Sequence, residues 1–209
     1  MNRIRFVILI SAAASASVAQ GQLFQPRYRE DPSHPVHTIT IARDVPMPKR
    51  MLSFGQSETA AEAVGAATSG GAGIGLAVAG AFKPSAGNYF GVPESVRSEF
   101  AAAIQKSGKF AVKNQGSADA ELRLEVGGYG FESSAPFARK LNPVLSVRAE
   151  LVRRDGKVAW KFAKSVNHLN SDIPAVLPEE IRSNPEVGVN ALRVAARVIA
   201  QKAAEILQK

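Results

Sequence analysis

The chain has 209 residues, a formal charge of +8 at neutral pH and no cysteine. Without cysteine there is no disulfide, no thiol nucleophile, no cysteine-ligated metal and no acylated cysteine to tether the chain to a membrane. Lysine and arginine are scattered among acids with no dense basic run. The charge therefore reads as solvated surface, with anionic lipid as a minor option and nucleic acid not expected as a partner.

Residues 1–19 read as a secretory signal peptide. Arg3 and Arg5 give the positive start, and Phe6, Val7, Ile8, Leu9 and Ile10 open an apolar stretch that runs on through alanines. Cleavage is expected after Ala19, with a second candidate position after Ala16. The stretch is short for a bilayer span, so an uncleaved anchor is the lesser alternative. Residues 20–35 are polar and proline-bearing and read as a flexible leader. Residues 36–209 then read as a single domain carrying an insert at about 55–91.

Residues 36–43 alternate, with His37, Ile39 and Ile41 on one side, and predict a strand that Pro46 and Pro48 end. The insert is different in kind: residues 63–82 carry no charge and consist almost wholly of Gly, Ala and small apolar residues. Past residue 82, Lys83, Pro84 and Gly87 supply turn chemistry. Pro93 and Glu94 suit a helix start, and Val96, Phe100 and Ile104 repeat every fourth residue before a stop at Ser107 and Gly108. A short strand is expected over 110–113 and a longer one over 120–131, where Leu122, Leu124 and Val126 alternate with Glu121, Arg123 and Glu125. Gly127 and Gly128 mark a bulge or bend.

Residues 132–143 are expected as a loop. Strands follow over 144–153 and 158–166, joined at Asp155 and Gly156, a hairpin turn pair. Val158, Trp160 and Phe162 are placed on the inner face. Residues 167–183 read as irregular. Asn184, Pro185 and Glu186 then start a final helix with Leu192, Ala195, Ile199, Ala203 and Ile206 on its buried side. The expected fold is α+β: a mainly antiparallel sheet of four to five strands with two helices packed on one face, plus the Gly/Ala-rich insert.

Three stretches carry a resemblance: Phe100 through Phe110 with its Ser-Gly-Lys-Phe turn, the Ala118-Asp119-Ala120-Glu121-Leu122 strand start, and the hairpin from Val147 to Trp160 with Asp155-Gly156-Lys157. They resemble a loose group of bacterial envelope domains. The group includes auxiliary lipoproteins of ABC-type transport systems, the curli-secretion lipoproteins and the N-terminal domain of the Tol periplasmic protein. The resemblance covers roughly 36–43 and 93–209. It implies a scaffold and an envelope setting and carries no catalytic residue. This chain departs from the group in lacking the acylated cysteine.

Two regions are candidates for function. In the insert, Gly71, Gly75 and Ala79 fall every fourth residue, giving a helix a smooth stripe for close packing, with Ile74, Leu76 and Val78 as its apolar side. About twenty residues match a bilayer core, so residues 63–82 are a candidate for membrane contact or for oligomer packing. The glycines weigh against an isolated helix, at about 1 kcal/mol each relative to alanine, and a flexible loop or a segment packed on the domain is the alternative. Certain envelope lipoproteins related to conjugation exclusion look similar in this insertion. The second candidate is a partner loop in which Tyr129, Phe131, Phe137, Arg139 and Lys140 place aromatic and basic side chains beyond the Gly127 bend.

No catalytic, cofactor or metal residues are assigned. His34, His37 and His168 lack metal-site spacing, and Ser57 lacks the second glycine of a nucleophile elbow. Glu179, Glu180 and Asp172 read as surface acids, and the glycines at 70–75 lack the Lys-Ser/Thr of a phosphate loop. The sequence points to a non-enzymatic envelope accessory protein, periplasmic or outer-membrane-associated, whose partners are envelope proteins or further copies of itself. A carrier of lipid or another hydrophobic ligand, or a small periplasmic hydrolase, are the alternatives.

Overall fold

The computed structural model describes residues 28–48, 51, 91–114, 116–133, 139–169 and 173–208. The signal, most of the insert, Phe137 and Asp172 lie outside them.

Five strands form one open sheet in the order β2-β1-β3-β4-β5. They are β1 (Thr38–Ile41), β2 (Ala111–Lys113), β3 (Ala120–Ser133), β4 (Leu141–Arg153) and β5 (Val158–Val166). Three helices are described: α1 (Val92–Ser107), α2 (Pro178–Ser183) and α3 (Pro185–Gln208).

The sheet is mixed, which corrects the expectation of a mainly antiparallel one. β3, β4 and β5 are antiparallel neighbours, but β1 runs parallel to both β2 and β3. The cause is connectivity. β1 reaches β2 through α1, and a strand that returns through a helix enters beside its predecessor in the same direction. The expected start at Pro93 is close: α1 begins at Val92 with Pro93 in its first turn. Gly108, at φ 71°, ends it with its N–H donating to the Gln105 carbonyl. Only glycine adopts that left-handed backbone without steric cost.

β3 and β4 each run further than the alternation suggested, so residues 132–133 and 141–143 of the expected 132–143 loop are strand. The pairing continues past a bulge at Gly127 to Ser133 opposite Leu141. A second bulge, at Ala159, pairs Val158 with Val152. Val158 is consequently 45% exposed, not on the inner face where simple alternation put it. α2 lies within the stretch read as irregular. A six-residue helix has too few turns to show a period; here Pro178 opens it, the Leu177 N–H donates to Glu180 Oε2 at 2.9 Å, and Ile181 is its buried anchor. α3 starts as read, with the Glu186 N–H donating to Asn184 Oδ1 at 3.1 Å.

One apolar cluster joins all three helices to the sheet. α1 packs against α3 and touches β2 and β3, while α3 also packs on β4 and β5. Small residues along α3, among them Gly188, Ala191, Ala195, Ala196, Ala200 and Ala203, are buried there. They let α1 approach closely enough to bury Phe100 and Ile104 completely.

Strand direction gives the molecule two ends. At the lower end β1, β2, β3 and β5 begin, and α1 and α3 finish, where Gln208 Nε2 donates to the Ser107 carbonyl at 3.0 Å. At the upper end β3 and β5 finish and β4 begins. The chain leaves β1 along the edge of β3, where the Val126 N–H donates to the Pro46 carbonyl at 2.8 Å, and enters α1 at Gly91.

Candidate functional site

The partner-loop residues do not form one surface cluster. Tyr129 and Phe131 lie in β3 on the inner face, 0% and 1% exposed, because the extra residue at Gly127 shifts the alternation by one and turns the odd-numbered positions inward. Arg139 and Lys140 are exposed just before β4, at the upper end. Phe137 is outside the described residues. So are Gly71, Ile74, Gly75, Leu76, Val78 and Ala79, and the candidate contact at 63–82 with them. In chain order the insert falls between β1 and α1, and the described residues on either side of it are Met51 and Gly91.

The upper end also carries the most exposed large apolar side chain among the described residues, Leu169 at 78%. Its neighbour His168 is fixed by Glu132, whose Oε1 accepts the His168 N–H at 2.7 Å and lies 2.6 Å from Nδ1. The Leu141 and Val176 N–H groups each donate to the other's carbonyl at 2.8 Å, folding residues 173–176 over the start of β4. Backbone here is thus held by a few polar contacts around a protruding leucine.

The lower end is fastened differently. Residues 28–35 fall in the stretch expected as a flexible leader, and here they dock. Tyr28 is 5% exposed and meets the Phe110 ring edge-on at 5.6 Å. Lys109 Nζ sits 4.9 Å from the centre of the Tyr28 ring and donates to the Leu207 carbonyl at 2.7 Å, a cation at the negative end of α3. Burial pushes the Tyr28 hydroxyl above its ordinary pKa. Arg153 bridges Asp155 in the hairpin turn at 2.8 Å and Asp31 in the docked segment at 2.6 Å. Its hydrogen bonds hold both carboxyls below the ordinary aspartate range.

Asp119 pins β1 to the start of β3. Its Oδ2 accepts the Thr38 N–H at 2.8 Å, the His37 N–H at 3.0 Å and the Thr38 hydroxyl at 2.9 Å. These bonds, the Thr38 N–H first, lower its pKa. Neither this clamp nor the Asp31–Arg153–Asp155 bridge was read from sequence. Each joins residues far apart in the chain, and the only local signal is the Asp-Gly turn.

The three histidines are not brought together. His34 lies 3.4 Å from Asp31 at the lower end, His37 follows it into β1, and His168 is at the upper end. Trp160 and Phe162 stack at 5.5 Å in the core. Between helices and sheet, Phe100, Ile104, Tyr129, Phe131, Leu192 and Ile199 fill the space and are each under 3% exposed. Among the described residues no helix is long and apolar enough to cross a membrane.

No protein-family model and no curated protein matches the chain. Solved structures similar to it include a PelC dodecamer from Paraburkholderia phytofirmans, at 13% identity and a TM-score of 0.43, covering 89% of this chain and 96% of that one. A Xanthomonas campestris protein of the DUF330 family is similar at 12% identity and a TM-score of 0.47, covering 85% of this chain and 88% of that one. A minor lipoprotein from Acinetobacter baumannii is similar at 12% identity and a TM-score of 0.34, covering 55% of this chain and 82% of that one.

Proposed function

We propose that this chain is an exported, non-enzymatic accessory protein of the cell envelope that works by binding other envelope proteins or further copies of itself. The signal-like first nineteen residues support export. The observation that supports the binding reading is the core that the described residues form among themselves. The described residues by themselves bury a continuous apolar cluster drawn from all three helices and the sheet. We read the uncharged run at 63–82 as free to serve a partner, because that cluster is drawn from the described residues alone. Small residues at every fourth position suit it to pack against a partner backbone. The test is deletion of residues 66–81, followed by native mass and membrane fractionation. We expect a shift toward single-chain mass and release from the membrane fraction. A deletion variant with the same mass and the same partition as the full chain would overturn the reading.

A further inference from the structure

A separate feature lies on the outer face of the sheet at the lower end. Thr40, Glu121 and Val152 form one cross-strand row there, with Arg123 in the next row on the same face. Together with Arg154, Ala118 and Gly156 they line a shallow depression of about 260 Å³.

The acids around this depression are already engaged and two of the cations are not matched by any of them. Glu121 accepts Arg123 Nε at 2.9 Å. Asp119 receives three donors from β1 and its approach. Asp155 holds Arg153 and accepts the Lys157 N–H at 3.0 Å. The Arg154 guanidinium, by contrast, meets only the Ala118 carbonyl at 3.2 Å among the described residues. The Lys113 ammonium, on the strand next to Thr40, meets only the Ser117 carbonyl at 3.1 Å among them. The exposed Arg123–Glu121 pair is weak enough for a stronger anion to share its guanidinium.

We propose that this depression binds a phosphate-type oxyanion. Two guanidiniums and the Thr40 hydroxyl offer more donors than the two oxygens of a carboxylate can accept, whereas a phosphate presents its oxygens in several directions. The docked N-terminal segment reaches this end through Asp31 and Arg153. A phospholipid headgroup and free phosphate share the required chemistry.

The test uses the full chain in two arms. One is titration with inorganic phosphate; the other is cosedimentation with phosphatidylglycerol-containing vesicles set against pure phosphatidylcholine vesicles. The Arg154→Glu variant is expected to lose about tenfold in affinity, and Arg148→Glu, higher on the same face, to stay within about twofold. Binding to both ligands, or to one alone, supports the proposal and identifies the source. The result that overturns it is no binding of either at millimolar phosphate and low salt, or equal losses in the two variants. Matching melting curves for the variants show that both remain folded. Because the insert is untouched, this result is independent of the deletion experiment.

Discussion

On β4, Leu145, Val147, Ala149 and Leu151 alternate with Ser146, Arg148 and Glu150, so a single strand supplies both faces of the sheet. The inner set is 0–1% exposed. The outer set carries pairs such as Lys161–Glu150 at 2.8 Å and Arg148–Glu125 at 3.8 Å, whose side chains are 41–65% exposed. Same backbone, same register, opposite consequences: the inner face supplies the stability, and the outer face is free to change or to bind. Buried apolar area contributes in proportion to the surface removed from water, while solvated ion pairs contribute little.

Substitutions should separate the faces by size of effect. The largest loss is expected for Leu145→Ala, about 3 kcal/mol in denaturant unfolding, from lost burial and the cavity left behind. If this variant melted like the parent, the inner face would not be the packed core described. Tyr28→Ala removes the buried ring that docks the N-terminal segment and should cost about 2 kcal/mol. Limited proteolysis would show faster cutting between residues 28 and 36, and unchanged cutting would mean that the segment is not held by this ring.

A smaller effect belongs to the Asp119 clamp, about 1 kcal/mol for Asp119→Asn at neutral pH. The folded pKa values of Asp31, Asp119 and Asp155 are all depressed. Their contribution is therefore complete above the ordinary aspartate value of about 4 and lost as pH falls below it toward the folded values. Melting temperature should drop between pH 7 and pH 3, and drop less in Asp119→Asn because one of the three groups no longer titrates. An equal drop in both proteins would remove Asp119 from this account. On the outer face, Lys161→Ala should change stability by less than about 0.5 kcal/mol. A larger change would show that the outer face is not the passive side.

Much of this contrast was legible in the sequence. Leu122, Leu124 and Val126 against Glu121, Arg123 and Glu125 gave the two faces of β3 directly, and the Asp155-Gly156 pair gave the hairpin. The strand over 120–131 and the bulge at its glycines were legible, but not which face Tyr129 and Phe131 take beyond it: the extra residue at Gly127 turns the odd-numbered positions inward, and both rings are buried instead of lining a partner loop. The parallel placement of β1 was hidden by the insert that separates it from α1. Tyr28 docks as an isolated anchor in polar, proline-bearing sequence, and a single anchor leaves no period to detect. Arg123 and Arg154 come from different stretches of chain and line one depression only through the fold, so no motif announces it.

A core that closes without the Gly/Ala segment is the central requirement for binding through that segment, and the melting of the chain lacking residues 66–81 tests it most directly. A single cooperative transition within about 4 °C of the full chain is the predicted result, corresponding to a change of no more than about 1–2 kcal/mol. A broad, non-cooperative melt, or a midpoint lower by more than about 10 °C, would show that the segment is part of the fold and contradict the account.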